Sequence, residues 1–300
     1  MKLNSRNYYS QKANREYFSV SQFKDFMKCP AMAMAKLNGE YEEEYGRALL
    51  LGSYVDEMLT GTAKSQTKFI AENYTELFQK NSKIVTALSK LETAAEQREF
   101  IAGCTDLFCE GNKPYADIVQ ANETIERVRQ QPKMMHYLSG KHQVIMTGEI
   151  EGVPFKIKMD SFDPDEYITD LKYMASLRSP NLFQPMVKYW GYDIQSGSYQ
   201  EIVRQNIGKR LPFFFDVATK EKPAHLALGE ISQWNMDEAL DTVKKNIVRF
   251  QKIKTGELPA ERCEDYGCDY CTTTKIITEP IDTDLFGMST AQINAMNGNI

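Results

Sequence analysis

The feature that most constrains the fold is a run of short periodic segments between residues 144 and 199. Residues 144–150 have the composition of a strand, apolar and polar residues alternate over 153–160 and 167–173, and turn residues lie between the segments, which predicts a β-hairpin followed by a third strand. Apolar residues then recur at the helical period from about 183 to 207. Strands followed by a long helix predict an α/β fold in which a sheet packs against helices.

Two aspartates and a lysine occupy matched places in these strands. Asp160 ends the second predicted strand, and Asp170 and Lys172 lie two residues apart in the third, so strand alternation puts Asp170 and Lys172 on one face. Carboxylates are suitable ligands for Mg²⁺, which lowers the pKa of the water that it binds. A lysine can neutralise the charge that grows on a phosphate during hydrolysis. The pattern indicates a metal-dependent phosphodiesterase.

The Asp-x-Lys triplet alone is weak evidence, because about one such triplet is expected by chance in a chain of this length. A salt bridge on an exposed strand face is the simpler explanation of the triplet. A hairpin ending in Asp160, then a strand with Asp170 and Lys172, then a helix with Gln195 and Tyr199 four residues apart is a much rarer order. That order favours the catalytic interpretation.

This stretch resembles the PD-(D/E)XK nuclease superfamily, and the Gln195-x-x-x-Tyr199 pair is similar to its RecB-type branch. The resemblance is narrower still to phage and prophage exonucleases of the RecE (exonuclease VIII) type. In the N-terminal half, residues 18–26 followed by Cys29-Pro30 resemble the opening helix of that family, and residues 47–56 resemble its G-x-x-x-H segment.

The resemblance implies an α/β, restriction-endonuclease-like core, with a central mixed β-sheet flanked by helices and a helical insertion. We expect residues 1–280 to form a single nuclease domain, with the insertion at about 62–140 and a cysteine segment at 261–272. Apolar residues of the insertion recur near the helical period and are expected to be core: Tyr74, Leu77, Ile84, Leu88, Leu91, Ile118, Ile125 and Val128. Residues 281–300 are expected to be a flexible C-terminal tail.

The resemblance also assigns roles to individual residues. Asp56 stands where the family has a metal-binding histidine, and Glu57 and Glu149 are alternative ligands; the competing interpretation is that Asp56 and Glu57 are solvated charges on a helix. The implied catalytic set is Asp160, Asp170, Lys172, Gln195 and Tyr199. The implied ligands of Mg²⁺, for which Mn²⁺ can substitute, are Asp56, Asp160, Asp170 and the main chain of Leu171.

The cysteines give a second signal. Cys263, Cys268 and Cys271 are clustered, and clustered cysteines in an intracellular chain favour a metal over disulfides. Resemblance to RecB-type nucleases makes Cys29 the fourth ligand of a [4Fe-4S] cluster, although the spacing of the late cysteines differs from the family's, and four thiolates suit Zn²⁺ equally. Reduced cysteines without metal remain a third interpretation. Cys104 and Cys109 are expected to be buried apolar residues.

Charge limits how the chain can bind DNA. With 36 basic and 41 acidic residues the net charge is −5, which argues against coating of nucleic acid through bulk charge. Contacts with DNA phosphates must therefore be made by local groups of basic residues. The competing interpretation is that these basic residues belong to an ordinary solvated surface. The basic candidates are Arg178, Lys188, Arg204, Lys209 and Arg210.

The sequence lacks a secretory segment and an apolar run that could span a bilayer, so a cytoplasmic protein without membrane contact is expected. The resemblance implies a Mg²⁺-dependent exonuclease that digests duplex DNA ends 5′ to 3′ and leaves 3′ single-stranded tails. It further implies a homo-oligomer and a RecT-like single-strand annealing partner. The alternatives are a structure-specific or flap endonuclease, and a DNA-binding or assembly module with a degenerate nuclease site.

Overall fold

The computed structural model describes residues 1–42, 46–177, 183–263, 267–278, 287 and 290–297. The strands are β1 (Lys141–Ile150), β2 (Val153–Asp163), β3 (Tyr167–Met174), β4 (Phe213–Thr219) and β5 (Leu226–Glu230). The helices before the sheet are α1 (Gln11–Glu16), α2 (Val20–Lys28), α3 (Pro30–Asn38), α4 (Arg47–Thr60), α5 (Ala63–Leu77), α6 (Lys83–Leu88), α7 (Ala94–Ala102), α8 (Ala116–Arg129) and α9 (Pro132–Tyr137). The later helices are α10 (Phe183–Tyr189), α11 (Tyr192–Ile207), α12 (Gln233–Lys254), α13 (Asp269–Thr273) and α14 (Thr290–Asn297).

The five strands form one sheet in the order β1-β2-β3-β4-β5. The β1–β2, β2–β3 and β4–β5 pairs are antiparallel, and the β3–β4 pair is parallel, because the chain crosses over through α10 and α11 before β4 begins. This arrangement confirms the predicted mixed sheet flanked by helices. Among the helices in the described part of the chain, none is both long and apolar enough to cross a membrane.

Apolar clusters cover both faces of the sheet. One cluster joins the sheet to α2, α11 and α12 and includes Phe213, Phe215, Ile202, Val243 and Phe250. The other lies between β3, β4 and helices α4 to α9, which include the predicted insertion. The insertion residues that were predicted to be apolar core belong to this second cluster, either buried or packed against it: Tyr74, Leu77, Ile84, Leu88, Leu91, Ile118, Ile125 and Val128.

Three predicted boundaries were wrong. Strand β1 begins at Lys141 and not at residue 144. Strand β2 continues to Asp163 and does not end at Asp160. The helix predicted over 183–207 is two helices, because Gly191 takes a left-handed conformation (φ 62°) between α10 and α11 and ends the first helical run. As a result Tyr189, which follows the helical period in the sequence, is 79% exposed.

Two further predictions concern the cysteines of the insertion and the C-terminal tail. Cys104 and Cys109 are only partly buried, so the prediction of buried apolar roles was wrong for both. The predicted flexible tail, 281–300, falls mostly outside the described residues, and within it the structure describes helix α14.

Asp216 is a buried carboxylate on the face of β4 that packs against the insertion. It pairs in register with Leu171 and Leu228, and it is 0% exposed. Neither of its oxygens has a hydrogen-bond partner among the described residues. Burial therefore raises the pKa of Asp216 from 3.8 to about 8.

We expect Asp216→Asn to alter how stability depends on pH. The folded protein holds a proton on Asp216 between pH 4 and 8 that the unfolded chain has lost, so this group lowers the free energy of unfolding as pH rises, by up to about 1.4 kcal/mol per pH unit. The substituted asparagine stays neutral, so the variant should gain stability relative to wild type from pH 5 to 9 in urea unfolding. Exposed Asp106→Asn is the control; parallel wild-type and Asp216→Asn profiles would contradict the expectation.

Candidate active site

The site forms where β2 and β3 separate. Their backbones pair only from Ser161 to Asp163 with Tyr167 to Thr169, and the next residues, Asp160 and Asp170, stand at the point of divergence. There the Asp160 side chain replaces a backbone partner, because its Oδ2 accepts a hydrogen bond from the Leu171 N–H at 3.0 Å. This bond holds the Asp160 carboxylate beside the strand that carries Asp170.

Asp170, Lys172 and Gln195 form a closed polar triangle. The Lys172 Nζ lies 2.5 Å from Asp170 Oδ2 and donates to Gln195 Oε1 at 3.1 Å. The Gln195 Nε2 in turn donates to Asp170 Oδ1 at 2.5 Å. Because Gln195 is on the first turn of α11, the helix fixes the relative positions of both strand residues.

Lys172 is held in its charged form. Burial acts against the ammonium, but the Asp170 carboxylate together with Tyr192 and Asp160 outweighs it, so the pKa of Lys172 is raised. The ring of Tyr192 lies beneath the ammonium, with Nζ 4.6 Å from the ring centroid. A lysine that keeps its proton is suited to stabilise negative charge and is a poor general base.

Asp56 reaches the site from a distant part of the sequence. Helix α4 packs against β2 and β3, and its Asp56 Oδ2 accepts a hydrogen bond from Gln143 Nε2 at 2.9 Å. The same Nε2 donates to Asp160 Oδ1 at 3.3 Å. Thr60, one turn further along α4, donates to Asp56 Oδ1 at 3.1 Å. The structure thus places Asp56 beside Asp160, joined by one amide.

The three carboxylates carry more negative charge than Lys172 can balance. Burial raises the pKa of Asp56 to about 6, with a further contribution from the charge of Asp170. Burial and the charges of Asp170 and Asp56 raise the pKa of Asp160 well above its usual range. A divalent cation would remove this penalty, since oxygen ligands of this kind are those that Mg²⁺ and Mn²⁺ bind. The donor set therefore fits the implied metal.

Three other predicted site residues, Tyr199, Glu57 and Glu149, do not join the group of aspartates. Tyr199 is buried and its hydroxyl donates to the Lys158 carbonyl at 3.0 Å, so it anchors β2 two residues before Asp160. Glu57 Oε1 is buried against Gly61, where any side chain would overlap it. Glu149 is exposed on β1, at the far end of the hairpin, roughly 20 Å along the strand from the Asp160 end. Asp56 is thus the acidic candidate that joins the site.

Comparison with known proteins agrees with this geometry. A family described as a PDDEXK-like domain of unknown function (DUF3799) matches residues 19–274. This chain belongs to that PDDEXK-like family. It is also similar to a solved structure from Eubacterium rectale named "Putative exonuclease", with 37% identity, a TM-score of 0.75 and full coverage of both chains. None of the curated proteins matches it.

Two polar residues of this PDDEXK-like site were missed from the sequence. Gln143 lies just outside the first predicted strand, and Lys24 lies in the segment that resembles the opening helix. Lys24 Nζ donates to the Trp190 carbonyl at 3.0 Å, and burial and the nearby Lys172 charge lower the pKa of Lys24. Neither residue has a motif around it; the only sequence signal for Gln143 was its place opposite Asp160 in the hairpin.

The basic residues predicted to contact DNA have acidic partners in the structure. Lys188 pairs with Glu238, Arg204 with Glu201, Lys209 with Asp165 and Arg210 with Asp237, at 2.7 to 3.0 Å. Arg178 lies outside the described residues. Surface pairs of this kind are weak, so a phosphate could replace each carboxylate. A DNA strand would therefore have to compete with an acidic side chain for each of these four cations.

Four cysteines meet at a second polar centre of the PDDEXK-like fold. The Sγ atoms of Cys29, Cys263, Cys268 and Cys271 all lie within 4.8 Å of one another. Cys29 caps α3, where the Met32 N–H approaches its Sγ at 3.4 Å. Burial opposes the thiolate, but the hydrogen bonds from Met32, Cys263 and Cys271 together outweigh burial and lower the pKa of Cys29 to about 7. The N-terminal helices and the C-terminal segment are thereby brought together by groups that can bind metal.

Proposed function

We propose that this protein is a Mg²⁺-dependent nuclease that digests duplex DNA from its ends. The observation that carries the proposal is the closed arrangement of Asp170, Lys172 and Gln195 beside Asp160 at the point where β2 and β3 separate. The metal would be held by Asp56, Asp160 and Asp170. When bound, it would supply an activated water and stabilise charge on the phosphate.

The chain's own residues have distinct parts in this reaction. Lys172, kept protonated by Asp170, would stabilise the charge that develops on the phosphate. Gln195 fixes the direction of the ammonium and of the Asp170 carboxylate at once, and Tyr199 fixes the β2 backbone that carries Asp160. Preorganisation of this kind is the main protein contribution in phosphoryl transfer.

Surface features near the site fit a DNA strand. Lys24 extends the positive charge of Lys172 toward Trp190, whose carbonyl it binds. Trp190 is 50% exposed and its ring lies 4.9 Å from that of Tyr189, which is 79% exposed. Exposed aromatic rings beside lysines provide stacking surfaces for unpaired bases. These rings and lysines support a site that accepts a strand that has left its duplex.

The direction of digestion, the partner and the assembly follow from the resemblance to RecE-type exonucleases. On that basis the enzyme degrades the 5′-ended strand, and the 3′ tail passes to a RecT-like single-strand annealing protein. A homo-oligomer around the DNA would keep the enzyme on its substrate. The name of the Eubacterium rectale structure supports an exonuclease over an endonuclease.

The deciding experiment compares DNA ends. With Mg²⁺ we expect linear duplex to be degraded while covalently closed circles survive. Among linear substrates, 5′-blocked ends should resist and 3′-blocked ends should be digested to single strands, as read from end-labelled products on gels. Nicking of closed circles would instead support a structure-specific endonuclease, and DNA binding without cleavage would support a binding module.

We further propose that the four cysteines bind one Zn²⁺ ion. A tetrahedral site with Zn–S bonds near 2.3 Å separates its sulfurs by about 3.8 Å. Cys29 and Cys271 Sγ are 3.5 Å apart, and Cys263 and Cys268 Sγ are 3.4 Å apart. A [4Fe-4S] core interposes iron and sulfide and needs wider spacing, so the geometry favours a single ion. Six free cysteines also fit a reducing cytoplasm.

A further inference from the structure

Gln143 has a backbone conformation that ordinary strand residues avoid. It lies within β1 between two regular pairs, His142 with Ser161 and Val144 with Met159, so its register position faces Asp160. Its φ is 51°, in the left-handed region, which is strained for a residue with a side chain. A strained residue within a strand persists only where its surroundings hold it there.

The side chain of Gln143 explains what holds it. Its Nε2 donates to Asp56 Oδ2 at 2.9 Å and to Asp160 Oδ1 at 3.3 Å. Two carboxylate oxygens are acceptors, so they can face only the NH₂ end of the amide. Among the described residues, Gln143 Oε1 accepts no hydrogen bond. The amide therefore braces two of the proposed metal ligands and has an unused oxygen at its other end.

Binding of a cation would reverse which end of the Gln143 amide faces the two carboxylates. A divalent ion between Asp56 and Asp160 repels the positive NH₂ end and attracts the carbonyl oxygen, and amide oxygens are ordinary ligands of hard cations. Rotation of the terminal amide by half a turn exchanges the two ends without moving the backbone. Gln143 is thus able to hold the carboxylates together without metal and to bind the metal once it is present.

We propose that Gln143 supplies a neutral oxygen ligand to the divalent cation held by Asp56 and Asp160, its amide turning over when the cation binds. This inference rests on the proposed metal-dependent function, but it concerns metal binding alone. It gives the strained backbone of β1 a purpose, since this conformation directs the amide between the two carboxylates. It also adds a neutral ligand to the three proposed carboxylate ligands.

The test is titration of the DNA-free protein with Mn²⁺, followed by electron paramagnetic resonance of free Mn²⁺. Gln143→Met keeps the size of the side chain and removes both amide ends. If Gln143 is a ligand, Mn²⁺ affinity should fall about tenfold or more. If Gln143 is only a brace, its NH₂ competes with the metal, and removal should leave affinity unchanged or increase it; either result would overturn the proposal.

Two more variants guard against misfolding and indirect effects. Gln143→Asn keeps an amide and tolerates positive φ, but it is one methylene too short, so it should keep its melting temperature in EDTA and still lose Mn²⁺ affinity. Gln143→Glu keeps a side-chain oxygen at the same distance from the backbone, so it should bind Mn²⁺ tightly, unlike Gln143→Met and Gln143→Asn. The control Gln130→Met, at the exposed residue that follows α8, should match wild type in both measurements.

The readout separates this inference from the proposed function. Wild type that binds Mn²⁺ but cleaves no DNA would refute the nuclease assignment and leave the role of Gln143 standing. Cleavage that persists with unchanged Mn²⁺ affinity in Gln143→Met would refute the ligand role and leave the nuclease standing. Wild type that binds no Mn²⁺ would overturn the inference.

Discussion

Lys172→Ala is expected to lower the rate of DNA cleavage by about 10³-fold, the loss that follows removal of one preorganised group from a developing negative charge. The reason is that Lys172 is a fixed, protonated cation, bound to Asp170 at 2.5 Å and to Gln195 at 3.1 Å. Asp160→Ala should reduce cleavage at least as strongly, because it removes a proposed metal ligand. Single-turnover digestion of end-labelled duplex in Mg²⁺ measures both rates.

We expect Lys172→Ala and Asp160→Ala to keep their affinity for DNA. Fluorescence anisotropy in EDTA should give dissociation constants within about threefold of wild type, since one charge is a small part of a phosphate-contact surface. Lys90→Ala, on the exposed surface of the insertion, is the matched lysine control and should retain full turnover. If Lys172→Ala cleaves DNA at nearly the wild-type rate, the active site lies elsewhere in the molecule.

Loss of the cysteine site is expected to have the largest effect on stability. Structural Zn²⁺ contributes folding free energy directly, and here it would connect helices α2 and α3 to the segment around α13. We expect purified protein to contain one zinc ion per chain. Cys271→Ser should remove that ion and lower the melting temperature by roughly 6 °C, as loss of about 4 kcal/mol does in a domain of this size.

Controls separate zinc from the other interpretations of the cysteines. Cys109→Ser, in the insertion, should keep both zinc and melting temperature, because Cys109 is not part of the four-sulfur group. Anaerobic protein analysed for zinc, iron and acid-labile sulfide distinguishes a single ion from a [4Fe-4S] cluster. If wild-type protein contains no metal and Cys271→Ser has the same melting temperature as wild type, the thiols have no ligand.

Local patterns in the sequence were enough for the strands that carry the chemistry. Alternation predicted the hairpin and the strand with Asp170 and Lys172, because side chains of a strand point to opposite faces with a fixed period. The predicted core of the insertion was also correct, since helical spacing reports which side is buried. The helix break at Gly191 was missed because a single left-handed residue leaves the apolar period on both sides intact.

Contacts between distant segments could not be predicted from local pattern. Asp56 was a candidate only by its place in a family motif, and nothing local shows that α4 lays it beside Asp160. The role of Gln143 depends on a backbone angle and on two partners that lie 87 and 17 residues away in the chain. The pairing of Lys188, Arg204, Lys209 and Arg210 with acidic neighbours likewise exists only in the folded molecule.

The sequence by itself determined the strands, the order of Asp160, Asp170, Lys172, Gln195 and Tyr199, and the cysteines able to bind metal. These follow from periodicity and residue chemistry, which are local properties. The tertiary structure alone decided where β2 separates from β3, how Asp56 and Gln143 meet Asp160, and how close the four sulfurs lie. Those outcomes depend on packing between distant segments, because the geometry of a site is a property of the whole fold.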